Sequence, residues 1–265
     1  MFYDNFTPDQ ICGIFSFWHI VAIVIFAVAA AVALVLSRNM KKQTVEKLIK
    51  IVAITVVVME VVKITLRLIK HSGPDGWVPL YFCSLFLYAV VFALFKNKFI
   101  KNMGYCFMVC GGIVASVCYT IYPSTALLLY PIWHPSTIHG FVYHWLMFYI
   151  GVLIAMRGLY KPKAKDFAYY LTFTTIFTTL ALVVNICTGA NLMLISKPFG
   201  VAFFYTVYNI SPFLYGLMVY LAQSVGLFWA VYGVYKIGEK IANKKQPKSD
   251  LVEQDEDDEP NLKET

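Results

Sequence analysis

The sequence predicts an all-α membrane protein: a bundle of seven transmembrane helices, N-terminus outside and C-terminus cytoplasmic. Three observations predict it. First, the 265 residues are 59% apolar, 17% aromatic and only 14% charged, against about 25% charged in soluble domains. Mean hydropathy is +0.66. Second, the chain divides into seven apolar stretches, most close to the roughly 20 residues that cross a hydrocarbon core. Third, the basic residues alternate from loop to loop. The first loop holds Arg38, Lys41, Lys42, Lys47 and Lys50, the third Lys96, Lys98 and Lys101, and the fifth Arg157, Lys161, Lys163 and Lys165. The tail adds Lys236, Lys240, Lys244, Lys245, Lys248 and Lys263. The second and sixth loops hold one each, Lys70 and Lys197, and the fourth has none. Cytoplasmic loops collect Lys and Arg, which sets the orientation.

The spans fall at about 12–37, 47–69, 78–95, 102–121, 138–156, 167–187 and 210–235. Span one is rich in Ala, Val and Ile. Its acidic flank, Asp4 and Asp9, and its length set it apart from a cleavable signal peptide. Span two contains Lys63 and Arg67, the basic residues that fall inside an apolar stretch. Span three is short. Span six is rich in Thr, whose hydroxyl can bond back to its own helix. The fourth loop, 122–138, holds Pro123, Pro131 and Pro135 between apolar residues and predicts an interfacial segment. The sixth loop, 188–209, predicts a re-entrant or interfacial cap. Residues 1–242 form the bundle, and 243–265 read as a disordered charged cytoplasmic tail. Asn5-Phe6-Thr7 is a glycosylation sequon on the outer side.

The net charge of +7 is dispersed over several loops. It suits the anionic inner leaflet and excludes a nucleic-acid surface. The six cysteines, Cys12, Cys83, Cys106, Cys110, Cys118 and Cys187, show no zinc-ligand spacing. No metal and no cofactor are expected. The partners expected are membrane lipids.

Ionisable residues inside spans are costly and are functional candidates by default. His19 lies in span one. Glu60, Lys63 and Arg67 lie in span two, where offsets of three and seven residues put them on one helix face. Cys83 opens span three, His139 and His144 lie in span five, Asn185 closes span six, and Gln223 is nearer the middle of span seven. Nearly all fall in the outer half, which predicts one polar chamber opening outward. A thiol and an imidazole at matching depth, Cys83 and His144, suit covalent acyl transfer: the thiolate attacks, and the histidine holds the proton and returns it. Backbone N–H groups or Asn185 could steady an oxyanion. Lys63 and Arg67 could hold a phosphate.

These residues resemble a family. Ser16-Phe17-Trp18-His19, Pro79-Leu80-Tyr81-Phe82-Cys83, His144, and Gly189-Ala190-Asn191-Leu192-Met193-Leu194 followed by Lys197-Pro198 are similar to stretches of the bacterial YwaF-like integral membrane proteins. Those proteins look like relatives of a eukaryotic multi-span phospholipid acyltransferase. The family commonly has histidine two residues before the cysteine and glycine after the span-five histidine, where this chain has Tyr81 and Trp145. The resemblance implies a Cys83 nucleophile and a His144 base, with His19, Glu60 and Asn191 in support, in a bacterial plasma membrane. Two alternatives remain: a lipid ester hydrolase, and a receptor or transporter whose outward pocket binds charge through Glu60, Lys63 and Arg67.

Overall fold

The computed structural model describes residues 6–200 and 202–245, which are helical with connecting turns. Of the charged tail, 243–265, residues 243–245 continue α12 and 246–265 lie outside the described residues, as does Asn5 of the sequon. The helices in chain order are α1 (Phe17–Ser37), α2 (Lys42–Ile69), α3 (Pro74–Trp77), α4 (Leu85–Phe92), α5 (Lys98–Phe107), α6 (Ile113–Ile121), α7 (Ser124–Leu127), α8 (Pro135–Met156), α9 (Phe167–Thr188), α10 (Ala202–Ile210), α11 (Pro212–Leu221) and α12 (Leu227–Lys245). A π-helical turn, Met108–Gly112, joins α5 to α6, and another, Ala222–Gly226, joins α11 to α12. Among the described residues, five helical runs are long and apolar enough to cross a membrane: Phe17–Ser37, Lys98–Leu127, Pro135–Met156, Ala164–Thr188 and Pro212–Ile241.

Each long helix follows from its residues. Ser16 caps α1 by accepting the His19 N–H at 3.3 Å. The 21 residues of α1 reach about 31 Å, the thickness of the hydrocarbon core. On α2 the buried residues are Val45, Ile49, Val52, Ala53, Val56 and Glu60. Apart from Ala53, they follow steps of three and four, the spacing of one helix face. The same stripe continues into Lys63 and Arg67. Pro135 starts α8 at a position where its missing N–H is harmless. Gly189 closes α9 at φ 72°, in the left-handed region that glycine tolerates.

Span three differs from its sequence reading. Helix starts only at Leu85, and 78–84 is irregular. The cause is Pro79, which drives the preceding Val78 to φ −74°, ψ 117°. The 188–209 loop also differs, since it ends in helix α10.

Fully buried Phe86, Phe107, Tyr170, Phe173, Tyr215 and Phe228 build the core. Glycine sets the closest backbone approach: a Cβ on Gly104 would stand 2.4 Å from the Ala89 carbonyl oxygen, so α5 lies directly on α4. At the lysine-rich end, Arg157 donates to the carbonyls of Met40 at 2.8 Å and Arg38 at 2.5 Å, tying two basic loops together. The polar residues singled out above gather at the opposite end.

Candidate functional site

Cys83 sits just before α4, half-buried. The proline-directed stretch 78–84 delays the helix, which leaves the thiol at the positive end of the α4 dipole. Two tyrosines flank it. The Tyr143 hydroxyl reaches the carbonyls of Cys83 and Ser84 at 3.5 Å each. The Tyr119 phenol lies within electrostatic range of the thiol.

His144 is buried on α8. Its Nδ1 lies 2.7 Å from the Gly140 carbonyl, one turn back. A carbonyl only accepts, so Nδ1 carries the proton and Nε2 carries the lone pair. Nε2 is buried and has no hydrogen-bond partner. The Tyr119 ring lies flat on the imidazole, centroids 3.6 Å apart and planes 5° apart. Gly140 makes this possible, because a Cβ there would fall 1.9 Å from the Tyr119 hydroxyl oxygen. Cys83 and His144 therefore share Tyr119 and Tyr143 as neighbours, and no hydrogen bond joins the two directly among the described residues.

The charged trio of α2 divides. Glu60 is buried and ion-paired with the half-buried Lys63. His139 faces both of them and stacks on Tyr143 at 5.9 Å. Arg67 also lies within electrostatic range of His139. Its Nη1 donates to the Tyr130 hydroxyl at 3.1 Å, and its guanidinium lies 5.8 Å from that ring's centre. Arg67 thus pins the 122–134 loop.

Three further candidates are engaged in hydrogen bonds within the fold. Fully buried His19 has both ring nitrogens engaged: Nδ1 accepts from the Phe15 N–H at 2.9 Å, and Nε2–H donates to the Thr120 carbonyl at 3.0 Å. It locks α1 to the residue beside Tyr119. Asn185 donates to the Leu192 carbonyl at 3.0 Å and to Ser196 Oγ at 2.9 Å, and accepts from the Leu192 N–H at 2.8 Å. Its amide is occupied at both ends, which removes it as an oxyanion donor. Asn191 accepts from the Ser196 and Lys197 N–H groups and donates to the Lys197 carbonyl. Its own N–H reaches Asp75 at 2.7 Å, and Asp75 also receives the Tyr81 hydroxyl.

The 189–200 segment turns back into the protein, as its composition suggests. Leu192 and Met193 are buried. Met193 and Leu194 both hold φ 57°, an uncommon conformation for non-glycine residues. Gln223 from the π-helical turn donates to the Met193 carbonyl at 3.1 Å, and the Tyr215 hydroxyl donates to the Leu194 carbonyl at 2.7 Å. These contacts over-determine the strained turn.

The sequence reading missed Tyr119, Tyr143 and Gly140. Tyrosine inside an apolar span reads as packing. The available signal was the polar end of each phenol, which needs a partner when buried, and a glycine one turn before a histidine.

The chain matches the TMEM164 family over residues 14–232. No curated protein and no solved structure matches it.

Proposed function

The chain belongs to the TMEM164 family, a family of membrane proteins, and from that premise we propose that it is a lipid acyltransferase working through a Cys83 thioester with His144 as base. Within the family the proposal places it beside the YwaF-like bacterial members, in the plasma membrane. It includes seven crossings with the N-terminus outside. The two beyond the five long apolar helices are α2, with 28 residues, and the 78–95 segment, whose eight-residue helix α4 follows irregular backbone that packed protein can shelter in a bilayer. The chemistry then faces the outer leaflet.

His144 is the observation that carries this reading. Its tautomer is fixed by Gly140, and its basic nitrogen is buried without a partner, across a shared tyrosine from the only thiol at the start of α4. In the proposed first step, Cys83 Sγ–H gives its proton to His144 Nε2, and sulfur attacks the carbonyl carbon of a lipid ester. The ester C–O bond breaks as His144 returns the proton to the departing lysolipid oxygen, leaving a thioester. An acceptor lipid hydroxyl then loses its proton to His144 and attacks the thioester carbonyl. The C–S bond breaks and the sulfur regains the proton. The half-buried Lys63, steadied by Glu60 and with His139 beside it, supplies positive charge for a headgroup phosphate.

The test is transfer in liposomes that hold purified protein, a tail-labelled phospholipid and a lysophospholipid acceptor. Label should move to the acceptor with wild type and stay put with Cys83→Ala. Release of labelled free fatty acid alone would mark a hydrolase, and equal transfer by Cys83→Ala would end the covalent reading.

A further inference from the structure

We propose, resting on the acyl-transfer reading of Cys83, that the cleft between α2 and α4 holds the acyl tail on its way through the thioester, and that Phe92 sets how long a tail fits. The cleft has a volume of about 250 Å³. Val57, Val61 and Ile64 line it from α2, and Leu87, Val91, Phe92 and the ring of Tyr88 from α4. Glu60 also borders it, yet its carboxylate is taken by Lys63 and it offers the cleft no polar surface. The walls are therefore wholly apolar, with an ion pair beside them.

The cleft's lining starts on α4 at Leu87, close to Cys83 in the chain. Leu87 follows Cys83 by four residues, across the turn in which the Phe86 N–H donates to the Cys83 carbonyl at 3.2 Å. Tyr143 bridges the regions, reaching the Cys83 carbonyl while facing Glu60 and Tyr88. From Cys83 to Phe92 the rise is roughly 13 Å, close to the roughly 15 Å depth of one leaflet's hydrocarbon. A tail esterified at Cys83 and lying along α4 would reach Phe92 as its end. Val61 and Val57 are 57% and 38% exposed on the outer surface of the bundle, so the cleft is open along its side to tails in the bilayer.

Phe92 is a rigid floor. Its ring packs on Phe173 at 5.5 Å, Phe95 at 5.9 Å and Phe177 at 6.2 Å, and Tyr88 stacks on Phe177 at 4.4 Å. Rigidity matters because bilayer tails are as apolar as the cleft, so burial alone does not select a tail. Selection comes from the steric penalty of a chain that overruns the floor.

The experiment offers purified protein in liposomes an equimolar mixture of phosphatidylcholines with short, medium and long saturated tails, and reads the acyl masses on Cys83. Val61→Phe fills the cleft from its exposed side and should shift the distribution toward short tails by about tenfold, the order that overpacking gives. Phe92→Ala should shift it toward long tails. Val62→Phe, one residue away and 52% exposed but outside the cleft, should leave the distribution as in wild type. Acylated Cys83 with an unchanged distribution in both cleft variants, or an equal shift in Val62→Phe, overturns the cleft assignment and leaves the acyl-transfer reading standing. A wild-type Cys83 that carries no acyl group overturns both.

Discussion

At the scale of single residues, three histidines in apolar helices, His19, His139 and His144, look alike in sequence and differ in what their nitrogens touch. His19 has two partners and belongs to the scaffold. His144 has one partner and one free lone pair. Replacing His19 with Ala orphans the Phe15 N–H and the Thr120 carbonyl, at about 1–3 kcal/mol for each group. A thermal-unfolding measurement in detergent should show a large loss of stability for His19→Ala. His144→Gln should unfold near the wild-type temperature but acylate Cys83 about 10²–10⁴-fold more slowly, the usual contribution of a general base. A His144→Gln protein acylated at the wild-type rate would remove His144 from the chemistry. The sequence marked His19, His144 and Asn185 as noteworthy because ionisable and amide groups are costly in a membrane. It could not sort base from scaffold, because that depends on carbonyls distant in the chain, such as Thr120 for His19.

At the scale of elements, glycine and proline decide the site. Pro79 holds back α4 so that Cys83 precedes the helix instead of lying within it. That consequence was available from the proline, whereas hydropathy alone ran the span straight through 78–95. Gly140 and Gly104 are where helices touch, and a span's apolar pattern says nothing about which neighbour arrives. Gly140→Ala should push Tyr119 off His144, given the 1.9 Å approach to its hydroxyl. Acylation should fall while helix content by circular dichroism is kept, and a fully active variant would show that the stacked pair is dispensable. Gly104→Ala instead drives α5 off the α4 backbone and should lower stability by about 1–3 kcal/mol. The 189–200 turn was legible as a cap from its glycine, asparagine and proline. Its anchors, Asn185, Gln223 and Tyr215, come from three separate places in the chain and were not. Asn185→Ala leaves the Leu192 N–H and carbonyl unpaired, so limited proteolysis should cut that turn faster than in wild type.

At the scale of the whole molecule, composition reads seven spans, and among the described residues five helical runs are long and apolar enough to cross a membrane. The other two spans of the sequence reading, 47–69 and 78–95, fall outside those five, the first for its charges and the second for the brevity of its helix. Their depth follows from the alternation of basic loops, which sets the polar cluster at one end of the bundle and most of the lysines at the other. Epitope tags on the two termini test the orientation: the N-terminal tag should be reached from outside the intact membrane and the C-terminal tag only after permeabilisation. The reverse pattern would put Cys83 and His144 at the inner leaflet. The central claim is the acyl-enzyme itself, and intact-protein mass spectrometry reads it directly. After incubation with phospholipid vesicles, wild-type protein should gain the mass of one acyl chain, lose it to neutral hydroxylamine, and show no hydroxylamine-labile gain when Cys83 is changed to Ser. A wild-type mass that stays unmodified under turnover, or a hydroxylamine-labile adduct that persists in Cys83→Ser, would contradict the account.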